Sequence, residues 1–204
     1  MPENKVTFGL KNVHYAVLEN NNGEVTYQEP IPIPGAVELA LEPRGDLFEF
    51  YADNLTYYSV QSNQGYDGTL EIADVPQSFL VDVLGEDLDV MNGVITETTT
   101  AKIKSFALLF EFDGDKHKIR HVMYNCTANR PSIGSSTKTE STEPNTNELT
   151  FVSSPVIVDG KPLIKTKTTR SVPLGVYNEW FNDVFIPSES EGLLYSAGFM
   201  GVKL

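Results

Sequence analysis

The sequence predicts a mainly β domain of two packed sheets, sandwich- or barrel-like, with one flanking short helix, a second candidate helix near the C-terminus, and extended arms. Three observations carry this. Apolar residues alternate at period two along most of the chain, in runs of strand length bounded by Gly, Pro, Asn and Asp. Only two stretches show helical spacing, and both are short. With 204 residues, 40% hydrophobic and 21% charged, the chain is long enough for one substantial core and has no break that divides it, so residues 1–204 read as a single domain.

Taken in order, "VTFGLKNVHYAVL" has Val6, Phe8 and Leu10 on one parity and Val13, Tyr15 and Val17 on the other. A strand changes parity only through a defect, which places a bulge or kink at Lys11 and Asn12. "NNNGE" is a turn, and "PIPIPG" an extended connector that cannot be a central strand. Val37, Leu39 and Leu41 then alternate with Glu38, Ala40 and Glu42, a half-buried strand with an acidic outer face. In "DVPQSFLVDVLGE" Asp74 can cap, Pro76 sits in the first turn, Phe79/Val83 and Leu80/Leu84 are i,i+4 pairs, and Gly85 can end the helix.

The best hairpin signal is "SFALLFEFDGDKHKIRHVMYNCTA". Phe106, Leu108, Phe110 and Phe112 alternate toward a turn at 113–115, and Val122, Tyr124, Cys126 and Ala128 are expected on one face of the return strand. "SIGSSTKTESTEPNTN", residues 132–147, is polar and expected to be an exposed mobile loop. "ELTFVSSPVIV" and "KPLIKTKT", with Asp159 and Gly160 between them, form a further hairpin candidate. "VYNEWFNDVF" between Pro173 and Pro187 repeats apolar pairs every four residues, as a helix does.

Chemistry finds little support. His117 and His121 have H-x3-H spacing, but on a strand four residues span about 13 Å, too far for shared coordination. "EDLDVMNG" resembles a calcium loop with its glycine one place late and no closing glutamate, so solvated acids after a helix are the better account. No G-x-S-x-G elbow, G-x-G-x-x-G turn or Walker lysine motif occurs, and Cys126 stands alone, so no intramolecular disulfide or Cys-based zinc site exists. No catalytic, cofactor-binding or metal residues are expected, and no cofactor. A net charge of −13 argues against tight nucleic-acid binding. The N-terminus does not read as a secretory signal and no segment is apolar enough for a membrane span, so a soluble protein made in a cytoplasm is expected.

Five stretches carry a resemblance: "NKVTFGLKNVHYA", "PGAVELALEPRGDLFEFYADNLTYY", "NQGYDGTLEIADVPQSFLVDVLGE", "KSFALLFEFDGDKHKIRHVMYNCTANRPSIGSSTKTES" and "VYNEWFNDV". Together, over residues 3–185, they resemble the major tail protein family of long-tailed siphophages and their prophages. The resemblance implies a structural virion protein that self-assembles into hexameric rings, stacked as the tail tube through which the genome passes during infection. It further implies synthesis in the host bacterial cytoplasm and contacts with tape measure, tail terminator and distal tail proteins. DNA is then a non-specific cargo of the lumen, whose wall is expected to be acidic. No membrane partner is implied. The rival from the residues alone is a sugar-binding β-sandwich, in which Trp180 and several tyrosines stack on sugars at a groove.

Two segments are expected to serve assembly. Residues 47–69 are rich in strand-forming aromatics but poor in aliphatics, which makes Tyr51, Tyr57, Tyr58 and Tyr66 candidate interface residues of an inter-subunit hairpin with its tip at Asn63, Gln64 and Gly65. The alternative is an edge hairpin folded on its own domain. The C-terminal arm, 188–204, lies outside the resemblance. It offers Leu193, Leu194, Tyr195, Phe199 and Met200, which either dock on another subunit or pack on their own domain or fray.

Overall fold

A computed structural model describes residues 9–21, 23–113, 118–132 and 145–187. In chain order the strands are β1 (Leu10–Asn21), β2 (Glu24–Tyr27), β3 (Ile31–Pro32), β4 (Ala36–Arg44), β5 (Leu47–Ala52), β6 (Leu55–Gln61), β7 (Gly65–Ile72), β8 (Asp87–Asp89), β9 (Val94–Thr96), β10 (Phe106–Phe112), β11 (Arg120–Ala128), β12 (Asn147–Ser153), β13 (Val156–Val158), β14 (Lys161–Leu163) and β15 (Lys165–Lys167). Helix α1 (Gln77–Asp82) lies between β7 and β8, and α2 (Leu174–Glu179) comes after β15. No described helix is long and apolar enough to cross a membrane.

Nine strands form one antiparallel sheet in the order β2-β1-β10-β11-β12-β7-β4, with β3 paired to β1 on the edge opposite β10 and β15 beside β11. The sheet curls until β4 comes back to β1, the barrel-like form of the expected architecture. Its interior holds Val13, Tyr15, Phe106, Leu108, Phe110, Leu70, Leu149 and Phe151, closed at one side by Phe79 of α1. Phe79 packs edge-on against both Tyr15 and Phe106, with ring centroids 5.1 and 5.3 Å away. A second cluster lies on the outer side of the same strands, where Ala16, Ala107, Leu109, Val122 and Tyr124 meet Trp180 and Val184 of the α2 region.

β10 is therefore covered on both faces, which is why "FALLF" reads as a nearly continuous apolar run. The parity change in β1 occurs where the sequence requires it: the register against β10 shifts between Lys11 and His14, and Asn12 has φ 50°. Val6 and Phe8 lie outside the described residues.

Several local expectations need correcting. Val122, Tyr124, Cys126 and Ala128 do not share a face, because the β10–β11 register shifts between Phe106 and Leu108; Cys126 and Ala128 point into the interior, Val122 and Tyr124 toward α2. A shift between Ala36 and Glu38 turns Val37 outward and gives its inward place to Ala36. Asp74 caps nothing: α1 starts from Pro76, whose extended ψ of 140° sets the N-cap without a side-chain bond. The helix ends at Asp82 with Val83 as C-cap, and Gly85, φ 75°, turns the chain away where a Cβ would stand 2.6 Å from the Lys102 carbonyl oxygen. The polar stretch 132–147 gives way to β12 already at Asn147, and 133–144 lie outside the described residues.

A buried ion pair fastens α2 to the sheet. Arg120 Nε lies 3.2 Å from Glu111 Oε2, Asn12 Nδ2 donates to the other carboxylate oxygen at 2.6 Å, and the Arg120 guanidinium sits 3.7 Å from the Tyr177 ring centroid while donating to the Tyr177 carbonyl. Tyr124 Oη donates to the Phe185 carbonyl at 2.8 Å and Trp180 Nε1 to the His121 carbonyl at 3.3 Å.

Candidate assembly surface

The most exposed apolar element is the β5–β6 hairpin. It grows out of the β4–β7 pair: Gln64 N bonds to the Arg44 carbonyl and Ser62 N to the Asp46 carbonyl, so the ladder continues across a joint. Gly45 makes that joint possible. Its φ is 154°, and a Cβ there would sit 1.9 Å from the Ser62 carbonyl oxygen. The ribbon reverses at Asp53 and Asn54, both left-handed with φ 52° and 59°, the geometry of a two-residue hairpin turn.

The tip is thus Asp53-Asn54, not Asn63-Gln64-Gly65, and the hairpin ends at Gln61 rather than at residue 69. Asparagine and aspartate tolerate the left-handed region, so the turn needs no glycine. Residues 65–69 belong instead to β7, bonded between β4 and β12.

Cross-strand register sorts the ribbon into two unlike faces. Phe48 opposes Val60, Phe50 opposes Tyr58 and Ala52 opposes Leu55, which puts six apolar or aromatic residues on one side. The other side pairs Leu47 with Gln61, Glu49 with Ser59 and Tyr51 with Thr56, and there Tyr51 Oη donates to Glu49 Oε2 at 2.6 Å. Tyr57 is the extra residue of a bulge between these pairs. Phe48, Phe50, Leu55 and Tyr58 are each more than half exposed, so no described residue covers this side.

Of the four tyrosines singled out by sequence, Tyr57 and Tyr58 stand on β6 and Tyr51 on the opposite, polar face of β5. Tyr66 is apart from them, half-buried in β7 against the core, with Lys165 Nζ 4.3 Å from its ring centroid. Phe48, Phe50, Leu55 and Val60 were missed. Period two in "LFEFYA" carries the signal for the first pair, but the Tyr57 bulge hides which β6 residues join them. Leu193, Leu194, Tyr195, Phe199 and Met200 lie outside the described residues.

A second surface is acidic. Glu38, Glu71 and Glu148 stand side by side on β4, β7 and β12, in direct register and on the outer face, and Glu42 pairs with Asp67 further along. With Thr69 and Thr146 the three glutamates line an open concavity. Like charges directly opposite one another on adjacent strands repel, so this row costs stability.

Reactive geometry is scarce. Among the described residues no group of three or more His, Cys, Asp or Glu could hold a metal ion. His121 stacks on Phe110, centroids 5.0 Å apart, and His117 is outside the described residues. "EDLDVMNG" forms the β8–β9 hairpin, where Asp89 Oδ1 accepts from the backbone N–H groups of Met91 and Asn92 and closes the turn. The Asn92 side-chain amide, and then those backbone bonds, hold the Asp89 carboxyl below its usual value. Burial pushes the Cys126 thiol up to about 12, which keeps it un-ionised and unreactive.

An antiparallel β fold carrying a long ribbon whose apolar face no described residue covers defines a class: a β protein with a surface open to assembly. The particular family is given by the sequence. Residues 2–162 match the model for the phage tail tube protein, and the chain belongs to that family. It is a structural component of the virion tail. No curated protein matches the chain. Among solved structures it is similar to a chain of the anti-feeding prophage baseplate, at 10% identity over 84% of this chain and 100% of that chain, TM-score 0.47. It is also similar to a chain of the sheath/tube terminator of the extracellular contractile injection system PVC, at 11% identity over 78% and 94%, TM-score 0.42. A third is a chain of the anti-feeding prophage cap, at 12% over 82% and 96%, TM-score 0.41. These likenesses are distant, and membership rests on the sequence match.

Proposed function

We propose that this tail tube protein assembles, through the β5–β6 hairpin, into stacked hexameric rings around a channel that passes the genome. The observation that carries this is the continuous apolar side of Phe48, Phe50, Leu55, Tyr58 and Val60, which the subunit does not cover. Burying it against a neighbour removes that surface from water, at roughly 25 cal/mol per Å². The polar side, with Tyr51, Glu49 and Ser59, suits solvent or a hydrogen-bonded rim.

The acidic row Glu38-Glu71-Glu148 supports placing the outer face of β4, β7 and β12 on the channel wall, where repulsion keeps DNA moving rather than adhering. In this reading the chain catalyses nothing and needs no cofactor. Tyr66 and the C-terminal arm, 188–204, serve as further subunit contacts, and tape measure, tail terminator and distal tail proteins are the partners along the tube. Residues 1–204 act as one tube domain made in the host cytoplasm.

Imaging of concentrated protein tests it. The wild type should form tubes, whereas Tyr57→Ala/Tyr58→Ala should remain folded and soluble without them. An unfolded double variant would assign the hairpin to the subunit's own core and end this reading of it.

A further inference from the structure

Beside α2 the surface opens into a groove of about 480 Å³, within the roughly 300–1,000 Å³ of ordinary ligand pockets. Val176, Trp180, Val184 and Ile186 give it an apolar lining, and the exposed carboxylates of Glu179 and Asp183 flank them. It is preformed, because Arg120, the Tyr124 hydroxyl and the Trp180 indole all tie this region to the sheet.

The described chain stops at Pro187, one residue past that lining. Beyond Pro187 the sequence continues as "SESEGLLYSAGFMGVKL", residues 188–204. Its composition is divided: Glu189 and Glu191 come first, then Leu193, Leu194, Tyr195, Phe199 and Met200 among Ser, Ala and Gly, and Lys203 next to the end.

We propose that the groove takes residues 193–203 of a second copy of this chain, a proposal that rests on the tube reading and gives that assembly its donor and its acceptor. The apolar residues match the lining, and the small ones permit close backbone approach. Lys203 has the sign opposite to Glu179 and Asp183. The chain's own segment is the poorer occupant. To enter, it would have to reverse within residues 188–192, a short span that carries Glu189 and Glu191 and starts beside the groove already flanked by Glu179 and Asp183, so like charge opposes that path. A neighbour's segment need not bring its acidic leader to the groove. Donor and acceptor surfaces differ, so the contact is heterologous, the kind that closes rings or propagates stacks.

Trp180 is the sole tryptophan and lines the groove, so its emission reads occupancy. The test uses the full-length variant Leu194→Asp/Phe199→Asp, whose own tail is unsuited to an apolar groove, titrated with a synthetic peptide of residues 192–204. A saturable change in emission is expected, with binding at least tenfold weaker when Gly175→Phe is added. Gly175 lines the groove, and a Cβ there meets nothing within 4 Å, so the larger side chain blocks without strain. Dilute wild type should share the emission of the tail variant and change only on assembly, and Gly175→Phe alone should abolish tubes. The proposal is overturned by an absent peptide response, or by dilute wild type that already differs from the tail variant at every concentration, which would mean the tail fills its own groove. Tubes formed equally well by Gly175→Phe would overturn it while leaving the tube reading intact. Wild type that never forms tubes would sink that reading, while the peptide titration still reports on the groove.

Discussion

Two hairpins of this protein are both rich in aromatic residues and have opposite fates. β10 and β11 carry Phe106, Leu108, Phe110, Val122 and Tyr124 and are covered on both faces, by the curled sheet within and by the α2 region without. β5 and β6 carry Phe48, Phe50, Tyr57, Tyr58 and Val60, and each of these is exposed. Aromatic content is alike, so it does not explain the difference. What differs is the company each strand keeps: β10 lies between β1 and β11 in the middle of the sheet, while β5–β6 leaves the sheet at Gly45 and Ser62 and pairs only with itself. Covered aromatics hold the fold together, and uncovered ones form the surface proposed above for assembly.

That contrast breaks most readily in the core. Phe110→Ala should cost about 3–5 kcal/mol in urea unfolding of the free subunit, since it empties a packed site. The same change at Phe50 should fall within about 0.5 kcal/mol. Equal costs at the two positions would erase the distinction. Arg120→Ala should cost about 3 kcal/mol, because it strands Glu111 at 5% exposure and releases Tyr177. If hydrophobic replacement of both Arg120 and Glu111 recovers most of that loss, the penalty belongs to the orphaned charge rather than to the pair.

Assembly should show the reverse order. Phe50→Ala/Tyr58→Ala should abolish tubes, with each side chain worth on the order of 1–3 kcal/mol of subunit contact, while the thermal midpoint of the free subunit hardly moves. Phe110→Ala protein that still folds in the cold should keep its tubes.

Alkali distinguishes the covered strand in another way. Burial raises the Cys126 thiol from 9.0 and the Tyr124 phenol from 10.0, each to about 12. Both acids are held protonated by the fold and ionise more easily in the unfolded chain. Their contribution is complete below about pH 9 and is lost as the pH rises toward 12. Urea midpoints should therefore fall across that window, and Tyr124→Phe should flatten the decline. The smallest effect is expected at the acidic row, where Glu71→Gln should stabilise the subunit by about 0.2–1 kcal/mol at low salt, fading as salt is added.

Much of the architecture was legible from period and parity. The β1 defect at Lys11–Asn12, the exclusion of the proline-rich connector from the middle of the sheet, the Asp159-Gly160 hairpin and the presence of both short helices follow from which residues alternate and which recur every fourth place, although α2 stops at Glu179 and "WFNDVF" continues as turn and coil. The candidate surface was only partly legible. Its location was clear from aromatics without aliphatic company, but its turn was hidden because Asn63-Gln64-Gly65 carries the stronger glycine signal than Asp53-Asn54. Tyr66 looked like part of the arm, although Gly65 begins a strand of the sheet.

By itself the sequence determined the strand-dominated class with two short helices, the presence of a strand-rich stretch with too little to bury, and membership of the tail tube family, because these depend on local periodicity and on the order of residues along the chain. The tertiary structure decided which face of each strand is covered. It turned Val122 and Tyr124 away from Cys126, set Glu38, Glu71 and Glu148 side by side, and gathered Phe48, Phe50, Tyr58 and Val60 on one side of a ribbon. Each of these depends on cross-strand register, and a single bulged residue shifts it. Register is settled by contacts between residues far apart in sequence, so no window along one strand contains it.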